Sequence, residues 1–179
     1  MNWKDYKQEA KRTWANFSEI HKIENGDLDR RMALLHCVLG IETEINEYKK
    51  AIINNDEVNA KEEIGDAYWY LANYELRFDI PIMSKSDLKG GSLDDCVETV
   101  LDLSKKVVFY KSDKFWGEVD LCMGSILYYL EDVVMSRRYD KASILQTNIN
   151  KLKSRFPNKF TTKDADERDL DNERKILEQ

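Results

Sequence analysis

The chain is poor in the residues that punctuate β structure. It holds 7 Gly and 2 Pro in 179 residues, against average usage of roughly 7% and 5%. Sandwiches and barrels need such residues at nearly every turn, so an all-β fold is disfavoured. Cysteine is also scarce: Cys37, Cys96 and Cys122 make an odd count with no CxxC pair. That argues against a disulfide framework or a zinc knuckle and points to a reduced, cytoplasmic setting. Long apolar runs are missing. The uncharged stretches 32–41 and 121–130 fall far short of the ~20 residues that cross a bilayer, and Met1-Asn2-Trp3-Lys4-Asp5 has no apolar signal core. Neither a membrane partner nor export is expected. What remains is 42% hydrophobic and 11% aromatic, with a net charge of −6. That is too apolar for a disordered chain, and the length suits one domain.

Apolar residues recur at helical spacing nearly throughout. Trp3, Tyr6, Ala10, Trp14 and Phe17 predict a first helix ending near Asn25-Gly26. Asp27 can cap a second that runs to Asn54-Asn55, and Asp56 starts a third that closes at Asp79-Ile80-Pro81. Gly90-Gly91-Ser92 marks an internal break. Further helices are predicted over 93–110, 114–138 and 140–155, with Phe156-Pro157-Asn158 as a stop. The expected fold is an all-α bundle of about five to six helices, a single domain over 1–160 followed by a charged, partly helical tail, 161–179. The stretch Asn46–Ile52 can be laid on Asp102–Val108, and Trp69-Tyr70-Leu71 on Tyr128-Tyr129-Leu130. Two pseudo-symmetric hairpins would produce this, and so would any two amphipathic helical hairpins.

The second and third helices each carry an acid pair, Glu44-x-x-Glu47 and Glu63-x-x-Asp66. Residues at i and i+3 share a helix face. The short loop between the helices predicts an antiparallel hairpin, in which these carboxylates converge. Like charges so placed repel, and a cation is the ordinary remedy. Oxygen ligands without His or Cys suit a hard ion, Mg²⁺ or Mn²⁺. Acid pairs at this spacing are also common on solvated surface. Two features favour the inward reading: Gly40 and His36 share the face of Glu44 and Glu47, and Asp66 continues into Trp69, Tyr70 and Asn73. Gly40 and Gly65 lie inside helices beside the acids, where a missing side chain leaves room for metal or substrate. A di-iron carboxylate site needs Glu-x-x-His, and neither His21 nor His36 stands three residues after a Glu.

Leu35-His36-Cys37-Val38-Leu39-Gly40-Ile41, Glu44-x-x-Glu47 and Glu62-Glu63-Ile64-Gly65-Asp66-Ala67-Tyr68-Trp69-Tyr70-Leu71-Ala72 resemble the MazG-type all-α nucleoside triphosphate pyrophosphohydrolases. Their signature is ExxE followed by ExxD, here 15 residues apart. The stretch 148–160, with Arg168-Asp169 and Glu173-Arg174 beyond, is similar to the ending of phage and bacterial members. The resemblance covers about half the chain. It departs at 84–137, which short members lack; this insert reads as a degenerate second hairpin, with Val100, Leu103, Cys122 and Ser125 at the positions of Glu44, Glu47, Glu63 and Asp66. That layout is similar to the duplicated dimeric dUTPase-like branch.

The resemblance implies Mg²⁺-dependent hydrolysis of a nucleoside triphosphate, a dNTP foremost, to the monophosphate and pyrophosphate. It further implies that Glu44, Glu47, Glu63 and Asp66 hold the metal, that one of the glutamates or Glu62 orients the water, and that the chain is a homo-oligomer, with a homodimer expected. Between 141 and 163 the sequence has six basic residues and no acid. Lys151 and Arg155 share a helix face with Asn148 and are candidates to grip phosphate. A helix C-terminus also attracts such cations through its dipole. Nucleic acid is a poor partner for so acidic a chain. Tyr70, with Trp69 and Asn73 on the same face, is the candidate base platform, against the plainer reading that these rings pack the core. His36 is read as a core histidine. The competing functional class is a catalytically idle helical module that binds a nucleotide or a protein.

Overall fold

The computed structural model describes residues 1–22, 24–82 and 91–178. Its helices are α1 (Trp3–Ala10), α2 (Phe17–His21), α3 (Gly26–Ile53), α4 (Glu57–Phe78), α5 (Leu93–Tyr110), α6 (Trp116–Ser136), α7 (Lys141–Arg155), α8 (Thr162–Asp166) and α9 (Leu170–Leu177), with 3-10 turns at Lys11–Thr13 and Asp113–Phe115. No strand occurs among the described residues, and no described helix is long and apolar enough to cross a membrane. The expected all-α bundle is the fold. Residues 84–90, which open the insert and include Gly90 of the expected break, lie outside the described residues.

Local chemistry sets the helix starts. Asp56 accepts from the Asn59 amide at 3.1 Å to cap α4, and Ser92 and Asp95 close a reciprocal capping box on α5. One start and one helix end differ from the sequence expectation. Asn25, not Asp27, caps α3, accepting from the Leu28 amide at 3.1 Å, while the Asp27 carboxylate is taken by Arg31 Nε at 3.0 Å. The first helix is not continuous to Phe17: α1 stops at Ala10 and Trp14 is extended. Thr13 explains the break. Its hydroxyl donates to the Ala10 carbonyl at 3.1 Å and accepts from the Trp69 indole at 3.0 Å, a local bond that competes with the helix ladder and draws the chain inward.

α3 and α4, joined by 54–56, pack as a hairpin. α5 and α6 pack as a second pair, docked through α5 on α3 and through α6 on α4. α4 also touches α1, α7 and α9, so it is the central helix. This is why Ile64, Ala67, Tyr68, Trp69, Leu71, Ala72 and Tyr74 are all buried along one α4 stretch: a helix surrounded on several sides buries more than one stripe. Each large apolar side chain so buried contributes about 1.5–3 kcal/mol. The core continues through Leu34, Val38, Ile41 and Ile45 of α3 and Val100, Met123 and Ile126 of the second pair. Cys37, Cys96 and Cys122 are buried free thiols. The segment read from the sequence as a charged tail after residue 160 folds back: α9 packs on α7, and Glu173 is only 3% exposed.

Candidate functional site

Glu44 from α3 and Glu63 and Asp66 from α4 converge inside the first hairpin, each offering a carboxylate oxygen within 4.8 Å of the other two. Two like charges at that distance repel by about 3–4 kcal/mol at an effective dielectric near 20. No ion pair forms to Glu44 or Glu63 among the described residues, because the nearby cation, Lys151, is committed elsewhere. Burial, with the Asp66 and Glu63 charges behind it, pushes the Glu44 carboxyl up to about 10. Burial likewise raises Glu63 to about 7, with Asp66, Glu62 and Glu47 adding to the rise. The pair therefore keeps a proton between them or takes a cation in its place. This donor set, all carboxylate oxygen with surplus negative charge, fits Mg²⁺ or Mn²⁺.

The remaining acids stand around this core. Glu47 is exposed, one turn beyond Glu44, and lies outside the close triad. Glu62 is tied to Lys151, whose ammonium donates to it at 3.0 Å and to Asp66 at 2.5 Å. Lys151 is 1% exposed, and these two carboxylates outweigh its burial and raise its pKa, so it stays charged. Asn148 donates to the other Asp66 oxygen at 2.6 Å, and its own carbonyl accepts from the Tyr6 hydroxyl at 2.8 Å. Asp66 is thus held on both oxygens by α7, itself anchored through α1.

The two glycines beside the acids admit protein, not ligand. A Cβ on Gly40 would stand 2.1 Å from the Tyr70 ring, and one on Gly65 would stand 3.1 Å from Asn148 Cβ. Gly40 lets Tyr70 lie against the α3 backbone; Gly65 lets α7 come close enough for Asn148 to reach Asp66.

A cleft of about 200 Å³ opens from the acids, lined by His36, Glu44, Asp66, Tyr70, Arg155 and Phe160 among others. Tyr70 is half-buried, edge-on to His36 and Trp69 with ring centroids 5.6 and 4.9 Å away. Burial, then Glu44 and Asp66, hold its phenol well above the usual range. His36, read as core, in fact borders the cleft against Trp14 at 4.5 Å, and burial lowers its pKa, which keeps the imidazole neutral. Trp69 touches the cleft, with its indole N–H spent on Thr13 and its ring stacked on Trp14 at 5.7 Å. Asn73 is 1% exposed and donates to the Trp69 carbonyl at 3.0 Å, so its amide is bound to its own helix and away from the cleft.

The cationic segment is largely neutralised within the fold. Lys141 pairs with Glu131, Lys151 with Glu62 and Asp66, Lys153 with Glu9, Arg155 with Glu173, and Lys163 with Glu167. Of these, Arg155 lines the cleft. Sequence reasoning missed Tyr6, which props Asn148, and gave no role to Arg168 and Glu173 individually. Tyr6 carries no charge signal, and the pairing of Glu173 with Arg155 spans 18 residues. Compared with protein-family models, curated proteins and solved structures, the chain finds no match.

Proposed function

We propose that the chain is a Mg²⁺-dependent nucleoside triphosphate pyrophosphohydrolase of the MazG type, cleaving between the α- and β-phosphates to give a monophosphate and pyrophosphate. The observation that carries this reading is the meeting of buried Glu63 with half-buried Glu44 and Asp66, with no cation paired to Glu44 or Glu63 among the described residues. A folded chain keeps such a repulsive cluster out of water at a cost, and perturbed carboxyls in a cleft mark a working site. Mg²⁺, when bound, neutralises phosphate charge and acidifies water.

In this reading Glu44, Glu63 and Asp66, with Glu47 one turn away, hold the ion. Lys151 and Asn148 fix both oxygens of Asp66 so that its geometry does not relax between turnovers. Glu62, which shares Lys151 with Asp66, is assigned in this reading to orient the attacking water. Tyr70 offers its ring to the base, while Leu152, Phe156 and Phe160 keep the cleft dry. Deoxynucleoside triphosphates are the leading substrates, with a homodimer in the cytoplasm as the assembly and setting and removal of unwanted nucleotides as the role.

The test is pyrophosphate release from a panel of NTPs and dNTPs with and without Mg²⁺, on the wild type and on Glu63→Gln. The expected result is metal-dependent turnover that Glu63→Gln lowers by at least about a hundredfold. No turnover with any nucleotide would sink the reading and favour an idle nucleotide-binding module. A light-scattering mass checks the dimer.

A further inference from the structure

Among the described residues, Arg155 is the one permanently charged cation that lines the cleft with Glu44, Asp66 and Tyr70. It does not stand alone. Its Nε and Nη2 donate to the two oxygens of Glu173 at 2.8 and 2.5 Å, a fork-on-fork pair. Arg168 Nη2 donates to the same carboxylate at 2.7 Å. One glutamate therefore joins two guanidinium groups, and the three side chains together carry a net positive charge. Arg155 keeps Nη1 without a hydrogen bond among the described residues. Arg168, 41% exposed at its side chain, lies within the field of Glu62 and Asp66.

The carboxylate between them is a fixed part of the fold. Its side chain is 4% exposed, and both arginines hold it ionised, down to about 2. The helix that carries it is tied down by neighbours: Asn172 donates to Ser154 Oγ of α7 at 2.7 Å, and Arg174 pairs with Asp56 at the start of α4 at 3.3 Å. A mobile surface glutamate would compete with an incoming anion. A buried one, held by three charge-assisted hydrogen bonds, instead sets where the two guanidinium groups point. Lys151, a further cation of this region, is 1% exposed and spends two of its three ammonium donors on Glu62 and Asp66.

We infer that Arg155 and Arg168, yoked by Glu173, form a two-guanidinium arm that binds the terminal phosphates of a polyphosphate, so that the C-terminal helix α9 is part of the site. The ligand class rests on the pyrophosphohydrolase reading; the arm itself does not. Glu173 is a positioning residue, acting through the arginines, and Lys151 organises carboxylates without touching phosphate.

The experiment measures binding of inorganic tripolyphosphate by calorimetry in the presence of Mg²⁺, and KM and kcat for pyrophosphate release, on the full chain. Wild type is compared with Glu173→Gln, Arg168→Gln and Arg168→Lys. Glu173→Gln and Arg168→Gln are each expected to weaken tripolyphosphate binding at least about tenfold and to raise KM more than they lower kcat, with Arg168→Lys recovering part of the loss. Should Glu173→Gln fail to fold, Arg168→Gln decides alone, since it removes a half-exposed side chain and leaves the Arg155–Glu173 pair in place. Wild-type affinity for tripolyphosphate in Arg168→Gln, or no binding by wild type, overturns the arm. Tripolyphosphate binding with the expected losses but no turnover by wild type sinks the enzyme reading and leaves the arm standing.

Discussion

The two helical pairs of this bundle answer the same packing problem with opposite chemistry. In the α3–α4 pair, positions 44, 63 and 66 bring three carboxylates together. In the α5–α6 pair, the residues that the internal alignment sets against them, Val100, Cys122 and Ser125, are buried at 0–3% exposure, as is Leu103 opposite Glu47 at 6%. Both pairs are long helices joined in sequence and packed along their length. The difference lies in what fills the seam. Apolar or small side chains in the second pair gain free energy by leaving water; the acids in the first lose it. One pair stabilises the bundle and the other holds groups that the bundle must be stable enough to tolerate.

The largest expected effect comes from giving the second pair the first pair's chemistry. Val100→Glu places a carboxylate at a fully buried site, with no Lys151 or Asn148 to receive it. The expected loss is about 4 kcal/mol or more, by the mechanism of an unpaired buried charge. Denaturant unfolding followed by circular dichroism checks it. A loss under about 1 kcal/mol would mean that the seam is open to water and that the contrast between the pairs is shallow.

The reverse operation removes a charge from the first pair and reads its pH dependence. In chelator, the folded-state carboxyl of Glu63 is raised from its ordinary value to about 7, so the folded chain binds a proton that the unfolded chain has released. Stability is then fully present below the unfolded carboxyl pKa near 4.5 and falls as pH rises toward 7. The fall expected from Glu63 between pH 5 and 8 is on the order of 1–3 kcal/mol; Glu44, raised further by its burial, adds to it, so Glu63→Gln lessens the fall without abolishing it. Added Mg²⁺ restores stability at pH 8 in the wild type and not in the variant. Glu173 sets the opposite limb: lowered to about 2 by its two arginines, its contribution is present above pH 4.5 and is lost as pH falls through about 2. Thermal unfolding midpoints across pH, with and without chelator, resolve both limbs.

How far the sequence discloses all this depends on which residues are asked. The helices of 26–78 are legible because apolar spacing, Asp56 and the Asp79-Ile80-Pro81 stop all speak locally, although the α3 cap falls to Asn25 and not to Asp27. The meeting of Glu44 with Glu63 and Asp66 is legible too, since a short loop and an i, i+3 spacing leave few other placements. The break after Ala10 is not, because it depends on Thr13 finding Trp69, 56 residues away. Nor is the fate of the cations. A run of six basic residues without an acid looks like a binding strip. In space Glu9, Glu131, Glu167 and Glu173 reach most of it, and Lys151 turns inward to Glu62 and Asp66. Net charge along a chain does not report net charge across a surface. The glycines show the same limit, since a missing side chain in sequence says that something comes close, without saying whether it is ligand or protein.

The smallest effects sharpen that last point, with one glycine from each pair. Gly40 lies beneath the Tyr70 ring, 2.1 Å from where a Cβ would stand, and ring atoms cannot approach carbon so closely. Gly40→Ala forces the ring out toward the cleft, at an expected cost of about 1–3 kcal/mol and with a rise in KM for nucleotide, because Tyr70 loses its seat. Gly117, in the first turn of α6, has nothing within 4 Å of the same position. There an alanine meets open space and gains helix propensity, and Gly117→Ala is expected to stabilise by about 0.5 kcal/mol. The two substitutions add the same methyl group with opposite sign, and unfolding midpoints measured side by side check the sign. A neutral Gly40→Ala would show that Tyr70 moves freely, and the base platform would then have to be sought elsewhere in the cleft, first at His36.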